Sequence, residues 1–284
     1  MDARRRTREE HEIGRLIDTA FRSDPRISRQ ALSRLGSLLR SDDQYNDNLI
    51  EGILHKARSY LLSMTGRDLD IPRVCGSHGN ESEFLIVPNT IATYDRASDE
   101  IILHCDPMAI SFEFFVNTLF HEYFHYAHDK SYSVGKALEK VPFSQVAYEE
   151  GTAEFFAQSY STAGIRSRLE RASCIYSMMS GDEMEHSAMV AMALNKAEDR
   201  RSFAKILLRV ERSITIDNPV HAVSGPAIAM LLHIKNNFQI GQTIREMLEP
   251  PFNLFKTITE MPKDNVRDAI GRIVGMVRMA EGGQ

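Results

Sequence analysis

Apolar positions along this chain recur at two spacings, and the switch between them divides it. From about residue 8 to 66 the spacing is helical: Ile13, Leu16, Ile17 and Ala20 share one face, as do Leu35, Leu38 and Leu39. The longest stripe runs from Asn48 to Met64 and carries Leu49, Ile50, Ile53, Leu54, Ala57, Tyr60 and Leu61, with Gly66 placed to stop it. Between about 70 and 106 short β-prone runs replace it: Ile71–Cys75, Glu83–Val87, Thr90–Tyr94 and Glu100–His104. Turn residues at Gly76, Gly79-Asn80, Pro88-Asn89 and Asp95–Asp99 separate them. These runs predict a small sheet of three or four strands. From about Pro107 the helical spacing returns. Asp106-Pro107 suits a helix start, Ser111 is the alternative cap, and the helix runs to about Asp129. After a loop holding Gly135 and Pro142, a helix is expected at about Ser144–Ala163. Further helices are expected near 166–180, 184–197, 200–213, 224–237, 240–248, 251–260 and 263–280.

Helices, a small sheet, one long helix and a helical remainder together predict an α+β fold with a mostly helical C-terminal half. Residues 1–45 read as a helical extension or cap. Residues 46–284 read as the main domain, with an upper part at 46–135 and a lower helical part at 136–284. The 284 residues are 43% hydrophobic, enough for a sizeable core. The net charge of −5 gives no general attraction to nucleic acid. The one basic cluster, Arg4-Arg5-Arg6-Thr7-Arg8, is followed at once by Glu9-Glu10 and Glu12 and reads as a salt-bridged helix start. The first twenty residues are charged and lack the apolar core of a signal peptide. No stretch approaches the roughly 18 apolar residues of a membrane span. Cys75, Cys105 and Cys174 are odd in number and widely spaced, which suits free thiols in a reducing compartment. The expected location is the cytoplasm, with export that needs no cleaved leader as the alternative.

The chemistry is concentrated in Phe120-His121-Glu122-Tyr123-Phe124-His125, an H-E-x-x-H motif on the long helix. Positions i and i+4 share a helix face, so both imidazoles can aim at one metal ion, Zn2+ by ligand type. Glu122, one position on, can reach water beside that ion without being a ligand. A zinc hydrolase needs a third protein ligand and one open position. Tyr148-Glu149-Glu150-Gly151-Thr152-Ala153-Glu154 on the next helix offers Glu150, with Glu149 as its rival. Glu154, one turn after Glu150, could accept a hydrogen bond from the far nitrogen of a zinc histidine. Gly151 costs about 1 kcal/mol relative to alanine in mid-helix, so its backbone is expected to approach something closely.

His121-Glu122-Tyr123-Phe124-His125 followed by Glu150-Gly151-Thr152-Ala153-Glu154 resembles the gluzincin group of zinc metallopeptidases, which includes the thermolysin-like and aminopeptidase-N-like enzymes. The resemblance implies a zincin-like fold in which a small mixed sheet packs on the motif helix. It implies His121, His125 and Glu150 as zinc ligands and Glu122 as general base. It further implies a downstream side chain that stabilises the oxyanion. His221, in Asn218-Pro219-Val220-His221-Ala222-Val223-Ser224-Gly225, is the first candidate, with Tyr148 and Tyr160 next. It also implies that the edge strand, assigned here to Glu100–His104, pairs with an extended peptide or protein substrate. The absence of a G-x-M-E-N-type amine-anchoring motif favours an endopeptidase. Two other readings use the same residues: a metal-binding or metal-free pseudoenzyme serving as an interaction module, and a zinc hydrolase of a non-peptide bond. His128, at i+7 from His121, reads as a partner of the site or a surface residue. Cys105 reads as a buried thiol, and the aromatic run from Phe112 to Phe124 as core.

Overall fold

A computed structural model of the chain describes residues 13–20, 30–31, 34–35, 43–76, 91–104, 110–131, 145–213, 223–249 and 251–282. Most of the expected 1–45 extension, the Glu83–Val87 strand, Asp106-Pro107, Cys105 and His221 lie outside these residues. The chain forms an α+β fold in two compact units, Met1–Lys130 and Ser131–Gln284. Among the described residues no helix is long and apolar enough to cross a membrane.

In the first unit, helix α1 (Asp43–Thr65) buries the whole predicted stripe from Leu49 to Leu61. Its end is set by Gly66, at φ +76°, whose N–H donates to the Leu62 carbonyl at 2.8 Å. That left-handed cap suits glycine because no Cβ opposes it. The helical stretch 13–20 buries Ile13, Leu16, Ile17 and Ala20. A Cβ on Gly52 of α1 would meet Ile13 Cγ2 at 2.8 Å, so the glycine admits that side chain.

Three strands follow: β1 (Arg73–Gly76), β2 (Ala92–Asp95) and β3 (Glu100–Leu103). Their order is β1-β3-β2, with β3 parallel to β1 and antiparallel to β2, which makes the sheet mixed. This corrects the assignment of Glu100–His104 as the edge strand. β3 is central among the described strands, and both of its hydrogen-bonding sides are occupied. Among the described strands the outer edges belong to β1 and β2.

Helix α2 (Phe112–Ser131) carries the motif. It starts later than the Asp106-Pro107 expectation, because Ser111 caps it: Ser111 Oγ accepts the Phe114 N–H at 3.2 Å. Phe112, Phe115, Phe120, Tyr123 and Phe124 are core, and Phe120 meets Tyr60 of α1 with ring centroids 6.4 Å apart. Phe114 is 53% exposed, contrary to its expected place in the core, because it falls on the solvent side with Glu113.

The second unit is helical among its described residues: α3 (Gln145–Ser161), α4 (Arg168–Ser180), α5 (Met184–Asn195), α6 (Arg200–Ser213), α7 (Ser224–Lys235), α8 (Ile240–Met247), α9 (Leu254–Thr259) and α10 (Lys263–Gly282). Each lies close to its sequence expectation. α7 is buried from Ser224 to Ile234 and packs against α3, α4, α5, α6, α8, α9 and α10. A helix apolar on every side has no other stable place than the centre of the unit.

The core of this unit holds one titratable group that makes its stability depend on pH. His233 on α7 is 1% exposed, with Nδ1 3.0 Å from the Tyr176 hydroxyl and ring contacts to Phe155 and Phe238. Burial pushes its pKa down to about 3, and the Arg171 charge adds to that. The unfolded chain therefore takes up a proton near pH 6.5 that the folded chain refuses. Stability is complete above that pH and falls as the pH drops toward 3, by up to about 1.4 kcal/mol per pH unit. Urea unfolding at about pH 7.5 and about pH 5.0 should show His233→Gln losing about 2 kcal/mol less than wild type over that step. Equal losses would place the titration elsewhere.

Candidate metal centre

α2 brings His121 and His125 onto one face, as i and i+4 must be. Their Nε2 atoms are 3.0 Å apart and their rings meet edge to face at 4.8 Å. Two imidazole nitrogens facing each other at that distance need a shared proton or a shared cation. Nitrogens bound at about 2.0–2.1 Å to one tetrahedral ion stand about 3.3 Å apart, so the pair needs an opening of only a few tenths of an ångström. His125 is buried and His121 half-buried.

Glu122 is 7% exposed. Its Oε2 accepts the backbone N–H of Tyr94 on β2 at 2.7 Å. Such a bond to a carboxylate oxygen fixes the direction of the side chain. Sequence reasoning missed this contact, since a backbone donor has no residue type to announce it.

Glu150 is half-buried on α3. One ligand atom each of His121, His125 and Glu150 lie within 4.8 Å of one another, a set able to hold a metal ion. Two imidazoles and a carboxylate are a donor set that suits zinc. Glu149, the rival and otherwise an expected surface charge, is buried at 7% exposure, because α3 is enclosed on nearly every side from Ala147 to Tyr160.

The expected close approach at Gly151 is present. A Cβ there would lie 2.3 Å from Gly225 Cα and 2.5 Å from Gly225 C and O. Conversely, a Cβ on Gly225 would lie 2.7 Å from Gly151 Cα and 3.2 Å from the Ala147 carbonyl oxygen. The two glycines let α3 and the first turn of α7 touch backbone to backbone, beside Glu150. Both glycines are visible in the sequence, but their pairing is not.

The other described candidates each have contacts within their own unit. Glu154 Oε1 accepts the Gln158 side-chain amide at 2.7 Å. Tyr148 donates its hydroxyl to the Met247 carbonyl at 3.0 Å. Tyr160 is wholly buried. His128 is also wholly buried, edge-on to Phe124 at 4.6 Å, which removes the surface reading. Cys75 and Cys174 are free thiols, and burial pushes both pKa values up. No protein-family model, no curated protein and no solved structure matches the chain.

Proposed function

We propose that this chain is a zinc-dependent peptidase of the gluzincin type, with an endopeptidase favoured. The observation that carries the reading is the His121–His125 nitrogen pair with Glu150 within 4.8 Å and a buried Glu122 one position along the helix. His121, His125 and Glu150 would hold the ion. When bound, zinc supplies a Lewis acid that polarises a carbonyl and makes water acidic near neutral pH.

The chain's own residues supply the proton handling. Glu122 is positioned as general base. Its carboxylate takes the proton of the attacking water and returns it to the leaving amine. Tyr94 N–H holds Oε2 throughout. His221 is the proposed donor to the oxyanion, and Glu154 a proposed support for a ligand histidine.

Mass spectrometry of protein purified without added zinc should find about one zinc per chain, falling to near zero in His125→Ala, which removes one of three protein ligands. The same wild-type protein should cleave members of a peptide library. A wild-type protein holding no metal at neutral pH would sink the proposal. Stoichiometric zinc with no cleavage of any peptide would replace it with the pseudoenzyme reading.

A further inference from the structure

Glu122 is held by a group outside its own helix, and that group is itself moored. In the β2–β3 ladder Thr93 faces Ile102, Asp95 faces Glu100, and the His104 N–H closes on the Ile91 carbonyl at 2.8 Å. Alternate residues of an antiparallel ladder turn both backbone polar groups toward the partner, and those between turn them away. Ile91, Thr93 and Asp95 form the inward set. Ala92 and Tyr94 therefore present their backbone groups to the outer edge of β2, and the Tyr94 N–H meets Glu122 Oε2 there at 2.7 Å.

The Tyr94 side chain is tied at the other end. Its hydroxyl donates to Asp99 Oδ1 at 2.7 Å and lies 3.3 Å from Asp129 Oδ2. Asp99 occupies the β2–β3 turn at φ 63°, and Asp129 the last turns of α2, seven residues beyond Glu122. Lys130 Nζ lies 2.8 Å from Asp99 Oδ2 and 5.3 Å above the Tyr126 ring, and that ring meets Tyr94 edge-on at 5.8 Å. The Lys130 hydrogen bond holds the Asp99 carboxyl below its ordinary range. Burial, with Asp99 and Asp129 alongside, pushes the Tyr94 phenol well up. The phenol thus stays a proton donor to an ionised acceptor.

We propose that Tyr94 is a positioning residue for Glu122: its phenol, moored to Asp99 and Asp129, sets β2 against α2 so that the Tyr94 amide holds one oxygen of the Glu122 carboxylate. The kinetic consequence rests on the reading of Glu122 as general base. The mooring itself does not.

Two measurements test it. In the first, amide hydrogen exchange is followed by NMR on the full chain. The Tyr94 amide should be protected in wild type, and its exchange should rise about tenfold or more in Glu122→Ala and in Tyr94→Phe, as for an opened local hydrogen bond. In the second, the zinc-loaded Tyr94→Phe protein should lose about tenfold in kcat, with KM within about twofold and zinc content unchanged, because only a bond that orients the base has been loosened. Asp99→Gly, which tolerates the positive φ and removes the acceptor, should move both readouts the same way if Tyr94→Phe fails to fold. A Tyr94 amide still protected in Glu122→Ala would overturn the proposal. So would a Tyr94→Phe protein with unchanged protection and unchanged kcat. A wild-type chain that cleaves no peptide would end the peptidase reading, and the exchange measurement would still decide the mooring.

Discussion

Glu122→Gln is expected to abolish peptide hydrolysis while leaving the metal in place. Proton transfer by a positioned side chain contributes about 10²–10⁴-fold, so kcat should fall by that factor, equivalent to about 3–5 kcal/mol of barrier. The substitution is nearly isosteric. The oxygen of the new side-chain amide can still accept the Tyr94 N–H, which donates to Oε2 in the native protein. The strand-to-helix contact should therefore survive, and a buried charge is removed rather than stranded. KM and zinc stoichiometry should stay near wild type, because glutamine changes neither His121 nor His125. The result is read from steady-state kinetics on one cleaved peptide together with metal analysis. Activity within about threefold of wild type, against the expected loss, would show that Glu122 is not the base and would leave the H-E-x-x-H motif without its proposed chemistry.

The sequence carried the parts of this molecule that are written in local spacing. The stripe from Leu49 to Leu61 is buried as its periodicity demands, and the C-terminal helices lie near their expected places. The histidine pair was legible because i and i+4 share a helix face whatever the rest of the chain does. What was not legible is non-local. The residues of β3 alternate just as an edge strand's would, and only the parallel partner β1 makes it central. The start of α2 depended on which of two acceptable caps closed a hydrogen bond, and Ser111 did. Phe114 has the same residue type as Phe115, and one helical step separates exposure from burial. Glu149 and Glu150 are adjacent, so composition alone could not choose between them. Glu150 is half-buried and Glu149 buried on that helix, a difference set by packing rather than residue type. The Tyr94 amide that meets Glu122 is a backbone group, and every strand residue except proline has one.

The second large effect is expected at Gly151, where alanine should be strongly destabilising although alanine is the better helix former. In an open helix the exchange gains up to about 1 kcal/mol, and Gly271→Ala on α10 should show that gain, since Gly271 is exposed and nothing lies within 4 Å of its Cβ position. At Gly151 the new Cβ would stand 2.3 Å from Gly225 Cα and 2.5 Å from the Gly225 carbonyl carbon and oxygen. All three are backbone atoms, so no side chain can rotate to make room. α3 and α7 must move apart. Forcing a methyl group into a packed interior costs about 1–3 kcal/mol and sometimes more, and contact with rigid backbone belongs at the upper end of that range. The net loss should be about 2 kcal/mol, lowering the melting temperature by about 4–8 °C. The displacement also has a functional consequence. Glu150, proposed above as a metal ligand, is the neighbouring residue on α3, and a misplacement of about 1 Å can cost about 10²-fold in rate. Gly151→Ala should therefore bind zinc more weakly as well as unfold earlier, whereas Gly271→Ala should leave zinc binding unchanged and unfold later. Thermal unfolding and zinc titration of the two variants side by side would decide it. A Gly151→Ala protein as stable as wild type would mean that the glycine pair does not set the distance between these helices, and that Glu150 owes its place to something else.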